Sequence, residues 1–322
     1  MNHYNSFQKI LHDLILGNKF IGLSLFEIEK ILYSRKKKDF QDKQHIFITS
    51  LPRSGTTTLL NLIFSSGQFG SLKYSNMPFL PSPNLSKLFN QKKIQTKERL
   101  HKDGITFDLN SPEAFDEFYF INLSNEIKKN HYDFKEYVDL ILHSQVKERY
   151  LSKNNSNYKR INFLQSLFPK SIFLIPIRDP LQHANSLLRQ HINFSEIQQK
   201  DDFVKRYMGY LGHHEFGLKH KYWNKPIEYT DPRQLNYWIE QWYLFYTNIY
   251  ENFKDNKNCF FLLYENFSNK VYMREFLKSF SIENIDFNIL KNSQNRKIDS
   301  NFDQVNLEKA KVIYNKFLKI KY

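Results

Sequence analysis

The first 40 residues show the spacing of two helices. Apolar side chains recur at intervals of three and four residues, which places them along one face of a helix. Gly17 and Asn18 interrupt the pattern and are predicted to separate the two helices. The recurring positions are Phe7, Ile10, Leu11 and Leu14 in the first helix and Leu25, Ile28, Ile31 and Leu32 in the second.

From residue 45 onward, short apolar runs alternate with longer segments of helical spacing. Such runs, bounded by polar turns, are typical of buried strands. Pro176 lies inside one of them, and it predicts that the last part of that strand has no partner on one side. The strands are predicted at 45–50, 149–152, 172–177 and 259–264, and the helices near 59–67, at 111–123 and 132–147, from 181, at 234–253 and in the tail.

This order of elements predicts one doubly wound α/β domain over residues 1–322, because strands that alternate with helices form parallel sheets. We expect a P-loop-like, three-layer α/β/α arrangement around a central parallel sheet of four to five strands. Residues 1–44 would form a helical N-terminal extension. The aromatic helix at 234–253 is expected to lie in the core.

The segment between the first strand and its helix is rich in small and hydroxylated residues and carries one cation. Backbone N–H groups at a helix N-terminus point at a bound anion, and the helix dipole favours its charge. The loop therefore predicts a binding site for a 5′-phosphate. The residues assigned to it are Arg53, Ser54, Gly55, Thr56, Thr57 and Thr58.

The loop differs from a nucleoside-triphosphate loop. That motif requires G-x-x-x-x-G-K-[ST], but here Thr56 follows Gly55 and Ser50 stands five residues before it. The lysine that bridges the β- and γ-phosphates is missing. A P-loop kinase or nucleotide hydrolase is therefore only the alternative function, and we expect no metal ion at the site.

Two motifs resemble those of the sulfotransferase superfamily. Leu51–Thr57 is similar to the loop that binds 3′-phosphoadenosine 5′-phosphosulfate (PAPS), in the Pro-Arg-Ser-Gly-Thr-Thr form common among bacterial members. Ile177-Arg178-Asp179-Pro180, followed by Ser186, resembles the family's 3′-phosphate site. A strand-end arginine and a serine two helical turns later can converge on one anion. The resemblance spans roughly residues 45 to 265 and implies PAPS as the donor.

A third segment, Tyr150–Asn155, resembles the family's strand-end lysine segment, in which a lysine reaches the bridging oxygen of the donor. We assign Lys153 to stabilisation of the leaving group, with Arg53 sharing the charge. The resemblance implies in-line transfer of the sulfuryl group to a hydroxyl acceptor. That acceptor would be a carbohydrate, a lipid or a small metabolite.

The general base has no direct match. Cytosolic members of the family carry a histidine just after the lysine, where this chain has Asn154 and Asn155. A carboxylate is the expected substitute. Glu113 and Glu117 would share one face of the predicted helix at 111–123, and we favour Glu113 over Glu117. Ordinary acidity at a helix N-terminus is the alternative explanation.

A late segment departs from the family pattern. Many cytosolic members grip the 3′-phosphate with an Arg-Lys-Gly segment, whereas Asn295-Arg296-Lys297-Ile298 lacks the glycine. Arg296 and Lys297 either replace that contact or lie in a solvated loop.

The chain is basic, with a formal net charge of +14 at pH 7. That charge favours anionic partners such as a nucleotide, an acidic glycan, nucleic acid or an anionic membrane. A nucleic-acid-binding protein is a second alternative, although the basic residues are dispersed and no recognised nucleic-acid motif is present. The run Arg35–Lys38 is either a solvated helix end or a peripheral contact with acidic lipid.

Cys259 is the single cysteine and cannot form an internal disulfide. We identify no secretory signal, and no uninterrupted apolar run reaches the ~18 residues that a spanning helix needs. These features predict a cytoplasmic protein.

Overall fold

The computed structural model describes residues 4–33, 40–89, 97–98, 106–124, 132–290, 298 and 301–320. Two groups of residues singled out above lie outside these ranges: the basic run 35–38, and the pair Arg296 and Lys297.

The centre of the protein is a five-stranded parallel sheet in the order β2-β5-β1-β6-β7. The prediction of four to five parallel strands is thereby confirmed. A separate antiparallel pair is formed by β3 and β4. The strands are β1 (Ile46–Ile48), β2 (Phe69–Gly70), β3 (Lys97–Glu98), β4 (Thr106–Phe107), β5 (Arg149–Lys153), β6 (Ile172–Ile177) and β7 (Cys259–Leu263).

Helices cover both faces of this sheet. Successive strand residues point to opposite sides, so Phe47 stacks on Phe173 in one apolar cluster while Ile46 and Ile48 belong to the other. The helices are α1 (Ser6–Gly17), α2 (Lys19–Tyr33), α3 (Thr56–Phe64), α4 (Tyr132–Gln145), α5 (Ile161–Leu167), α6 (Pro180–Lys200), α7 (Asp202–Tyr210), α8 (Leu235–Phe253), α9 (Lys270–Lys278) and α10 (Gln304–Leu318).

The two clusters define the layers. Helices α3 and α9 cover one face of the sheet, and α4, α6, α8 and α10 belong to the core on the other face. Burial on both faces explains why the strands read as continuous apolar runs. The aromatic helix α8 contributes Trp238, Trp242 and Tyr246 to the core, each fully buried, as its sequence predicted.

The end of β6 shows the one-sided pairing that Pro176 predicted. Strand β1 pairs only with residues 172–174 of β6, whereas β7 pairs with residues 173–177. The carbonyl of Pro176 instead accepts hydrogen bonds from Ser50 Oγ (2.6 Å) and Tyr246 OH (3.0 Å). This arrangement fixes the point at which the chain leaves β1.

The helix predicted from Ser111 does not form there. The N–H of Glu113 donates to Leu72 O (3.1 Å), and Pro112 forms an isolated antiparallel bridge with Lys73. A helical turn with i→i+5 bonding follows only at Tyr119–Leu123. The prediction failed because the fixed φ of proline suits an edge of extended chain as well as a helix start.

Helices α1 and α2 form with the predicted break between them, but their apolar periodicity does not mark the buried face. The side chains that bury are His12, Ile15 and Leu16 of α1 and Phe26 and Glu29 of α2. Most of the recurring apolar positions are instead exposed, namely Phe7, Ile10, Leu14, Ile28, Ile31 and Leu32.

Within the described segments, no helix combines the length and the apolar composition that crossing a membrane requires.

Candidate active site

Three neighbouring strands bring the predicted site residues to one edge of the sheet. Ile48, the last residue of β1, lies in register with Lys153 of β5 and Leu174 of β6. The phosphate loop follows β1, Lys153 ends β5, and Arg178 follows β6 directly. Because β1 lies between the other two strands, Lys153 and Arg178 flank the loop from opposite sides. This is where parallel sheets bind ligands.

The loop takes two left-handed backbone conformations. Arg53 has φ 71° and Gly55 has φ 95°, and α3 begins immediately afterwards at Thr56. The N–H groups of the first helical turn have no acceptor inside the helix. Gly55 is also required for space, because a Cβ there would stand 2.5 Å from Tyr264 Cδ2 and 2.9 Å from Phe267 Cε2.

Buried side chains hold the loop from beneath. The hydroxyl of Ser54 donates to Leu51 O (2.7 Å), and His183 Nε2–H donates to Pro52 O (2.8 Å). Burial, reinforced by the charges of Arg178 and Arg53, lowers the pKa of His183 to about 3. His183 is therefore a neutral donor at physiological pH. The hydroxyl of Ser54, which is buried and donates to Leu51 O, points into the protein.

Arg178 and Ser186 both meet Arg53. Arg53 Nε donates to Ser186 Oγ (3.3 Å), and Arg178 NH1 donates to Arg53 O (3.4 Å). The guanidinium of Arg178 also lies over the ring of Tyr264, 4.8 Å from its centre. Two guanidinium groups and a hydroxyl at one helix N-terminus form a site suited to two anionic groups.

On the other side of the loop, Lys153 pairs with Glu113. Lys153 Nζ lies 3.5 Å from Glu113 Oε1, and each side chain is 10% exposed. Tyr74 OH donates to Glu113 Oε2 (3.2 Å), and the Ala114 N–H donates to Oε1 (2.9 Å). The structure thus brings together the lysine and the carboxylate that the sequence had assigned to the chemical step, although by extended chain rather than a helix.

Glu117 is held differently. Both of its carboxylate oxygens accept from Arg160 NH2 at 2.7 Å, and Asn154 Nδ2 donates to Oε2 at 2.8 Å. The Arg160 guanidinium stacks on Phe120, 3.7 Å from the ring centre. Glu117 therefore has a full set of charged and polar partners.

Asp116 is the third carboxylate of this stretch. Its side chain is buried and accepts a short hydrogen bond from Ser152 Oγ. Burial raises the pKa of Asp116 to about 6, and the Glu117 carboxylate adds to the effect. The hydrogen bond between Asp116 and Ser152 links the segment before the Tyr119–Leu123 turn to strand β5.

Sequence reasoning missed a polar contact beside Lys153. Asn155 Nδ2 donates to Glu215 Oε1 (3.1 Å), and His213 Nδ1 lies 3.7 Å from Glu215 Oε2. Burial alone would raise the pKa of Glu215, but the hydrogen bond and charge of His213, aided by Asn155, lower it to about 2. The sequence offered one sign of a turn before this contact, the glycine at position 212, which takes φ 71° in the structure. The contact fixes the segment after α7 against the end of β5.

Across the described ranges, no group of three or more His, Cys, Asp or Glu side chains could hold a metal ion. The carboxylates nearest Lys153 are instead engaged by Lys153 itself, Arg160 and Ser152.

Comparison with known proteins identifies one family. A model described as "Sulfotransferase family" matches residues 45–272. The crystal structure of sulfotransferase STF1 from Mycobacterium tuberculosis H37Rv matches with a TM-score of 0.52 and 10% identity, over 98% of this chain and 87% of that chain. STF9 from Mycobacterium avium matches with a TM-score of 0.45 and 11% identity, over 100% and 81%. A search of curated proteins gave no match. The STF1 likeness shows a shared fold.

We predict that Gly55→Ala destabilises the protein and weakens anion binding at the loop by more than about tenfold. Alanine at positive φ costs roughly 1–2 kcal/mol, and here its Cβ also clashes with Tyr264. Gly67→Ala is the matched control, because Gly67 has φ +68° and nothing lies within 4 Å of an added Cβ. Thermal unfolding and calorimetric titration with 3′-phosphoadenosine 5′-phosphate measure both effects. Equal losses in the two variants would contradict the clash.

We predict that Asp116→Asn removes a pH dependence of stability. The pKa of Asp116 rises from 3.8 to about 6 on folding, so the folded state binds the extra proton and stability falls as pH rises between these values. The variant should therefore gain up to about 3 kcal/mol over the wild type between pH 4 and pH 7. Urea unfolding across this range measures it, with exposed Asp255→Asn as the control. Parallel curves would contradict the prediction.

Proposed function

This chain belongs to the sulfotransferase family, and from that membership we propose that it transfers the sulfuryl group of PAPS to a hydroxyl group of an acceptor. The observation that supports this most directly is the placement of Lys153, the Arg53 loop and Arg178 on three adjacent strand ends. The family match gives no support to the kinase or nucleic-acid-binding alternatives.

In this proposal the donor spans the loop. Its 5′-phosphosulfate would lie at the N-terminus of α3, where the amides of Thr56 and Thr57 and the charge of Arg53 favour an anion. Its 3′-phosphate would lie at Arg178 and Ser186, which already meet at Arg53. A site with two cations and a helix N-terminus suits a nucleotide with two separate anionic groups better than one with a single triphosphate.

The chemical step needs charge stabilisation at the leaving oxygen and removal of the acceptor proton. The acceptor oxygen forms a bond to sulfur as the bond from sulfur to the bridging oxygen breaks. Lys153 would donate to that bridging oxygen, and 3′-phosphoadenosine 5′-phosphate would leave. The acceptor proton would pass to Glu113, which lies 3.5 Å from Lys153.

Glu113 suits the role of base better than Glu117. Glu117 carries a two-oxygen contact with Arg160 and a further bond from Asn154, which together hold its carboxylate in place. Glu113 contacts Lys153, the cation that the proposed mechanism assigns to the bridging oxygen of the donor. The two carboxylates differ in environment, and this difference supports Glu113 as the base and Glu117 as a structural residue.

We expect Arg178→Ala to weaken binding of 3′-phosphoadenosine 5′-phosphate by at least about 100-fold, because it removes a charge-assisted contact to phosphate. Arg189→Ala is the matched control, since Arg189 lies on α6 with an exposed side chain. Isothermal titration calorimetry measures both affinities. Unchanged affinity in Arg178→Ala, with the variant folded, would overturn the donor-site assignment.

We expect Glu113→Gln to lower turnover by about 10²- to 10⁴-fold while nucleotide affinity stays within a few-fold, as for loss of a general base. Glu117→Gln should instead lower the melting temperature, because it weakens the contact with Arg160, and should retain most of its turnover. Transfer of labelled sulfate from PAPS to a panel of hydroxyl acceptors measures turnover. Full activity in Glu113→Gln, or the reverse ranking of the two variants, would remove Glu113 as the base.

A further inference from the structure

Helices α1 and α2, together with the turn Leu85–Leu88, expose large apolar side chains to solvent. Phe20 is 83% exposed, Phe7 and Ile31 are each 72% exposed, and Leu88 is 73% exposed. Exposed apolar residues are ordinary when scattered singly, but a group of them marks an interaction site. We call this group the N-terminal apolar surface and define it by Phe7, Ile10, Phe20, Ile31, Leu88 and Phe89.

The opposite face of α1 is already bound to the protein. Asp13 accepts from Arg206 NH2 (3.0 Å) and from Tyr210 OH (2.9 Å), which ties α1 to α7. His12 lies among aromatic rings, with Phe203 6.1 Å and Tyr207 5.8 Å away between ring centres. The exposed side chains of α1 therefore belong to a helix whose opposite face is packed against the protein core.

Helix α2 is anchored in the same way and holds the turn beside it. Phe26 packs edge-on against Tyr137, with ring centres 5.8 Å apart. The buried Glu29 carboxylate accepts from the N–H groups of Asn84 (2.6 Å) and Leu85 (3.1 Å). The turn that leads to Leu88 and Phe89 is thus bound to α2, and α2 also contacts α1, so the exposed side chains belong to three adjoining elements.

Two exposed lysines accompany the apolar side chains of this surface. Lys19 and Lys87 are exposed, and each directly precedes an exposed apolar residue, Phe20 and Leu88. The acidic residues of the two helices are engaged: Asp13 with Arg206, Glu27 with Lys30, and Glu29 by burial.

Two stretches of sequence close to these elements along the chain are also rich in cations. Four consecutive cations, Arg35–Lys38, come shortly after α2, and residues 87–102 contain six Lys or Arg against one Glu.

We propose that the N-terminal apolar surface binds an anionic lipid bilayer. Aromatic and aliphatic side chains beside lysines match the composition of surfaces that insert shallowly at the interface, with the lysine ammonium groups at the headgroups. A second copy of this chain is disfavoured as the occupant, because each copy carries a net charge of +14. An anionic leaflet attracts that charge, by about 1 kcal/mol for each cation near its surface.

Vesicle flotation with the full chain tests this proposal. We expect the wild type to bind phosphatidylcholine vesicles that contain about 30% phosphatidylserine, and to bind pure phosphatidylcholine far more weakly. The triple variant Phe7→Ser, Phe20→Ser, Ile31→Ser should lower the partition coefficient by about 100-fold. The matched control replaces three exposed valines on α9 and α10, Val271, Val305 and Val312, with serine, and should bind as the wild type does.

The charge is tested separately with Lys19→Glu combined with Lys87→Ser. This variant keeps every apolar side chain, and glutamate suits the first turn of α2. It should lose several-fold in binding to phosphatidylserine vesicles and be unchanged on neutral ones. It also carries the test if the triple serine variant fails to fold. Circular dichroism and thermal unfolding check that each variant is folded.

Two results would overturn the proposal. The first is equal vesicle binding by the wild type and the folded triple variant. The second is absence of binding by the wild type to vesicles that contain phosphatidylserine. A dimer that is measured by light scattering and abolished in the triple variant would then assign the surface to another copy of the chain. Neither measurement depends on turnover, so failure of the proposed sulfotransfer would not be mistaken for failure of membrane binding.

Discussion

The main chain between β1 and α3 must reverse direction within a few residues, and the rest of the site depends on how it does so. Arg53 and Gly55 take left-handed conformations there, which is costly for arginine and free only for glycine. The strain is held by contacts on both sides: His183 and Ser54 bond the loop carbonyls from beneath, and Ser186 and Arg178 meet Arg53 from the adjoining helix and strand. The result is a helix N-terminus that lies beside two guanidinium groups.

The position of β1 between β5 and β6 makes this loop the centre of the site. The pairing of Ile48 with Lys153 and Leu174 fixes where β5 and β6 end along the strand direction relative to the end of β1. Lys153 and the residues after Ile177 therefore emerge at the level of the loop. A shift of one residue in the pairing of β1 with β5 would turn the Lys153 side chain to the other face of the sheet. The packing of the apolar strands thus determines the spacing of the charged groups.

The sequence predicted the parts of the fold that local pattern determines. Continuous apolar runs gave four of the five sheet strands, but β2, only Phe69–Gly70, is too short to leave a periodic signal. The pattern gave α1 and α2 correctly but not their buried faces. Periodicity says that apolar residues share a side, not which side meets the core, and in α1 the side that meets the core instead carries His12, Ile15 and Leu16. The extended chain at Glu113 depends on a bridge to residues forty positions earlier, which no local window contains.

Three carboxylates within five residues, Glu113, Asp116 and Glu117, have different surroundings, and these support the choice of Glu113 that the sequence already favoured. Glu117 is held by Arg160, and Asp116 is buried, 2% exposed, and accepts from Ser152 Oγ. Glu113 alone faces the lysine assigned to the donor. In the proposed transfer, Lys153 moves its hydrogen bonding toward the leaving oxygen as charge develops there. The interaction of Glu113 with Lys153 would then weaken as the acceptor proton arrives at Glu113. The same ion pair would therefore assist both departure of the leaving oxygen and deprotonation of the acceptor.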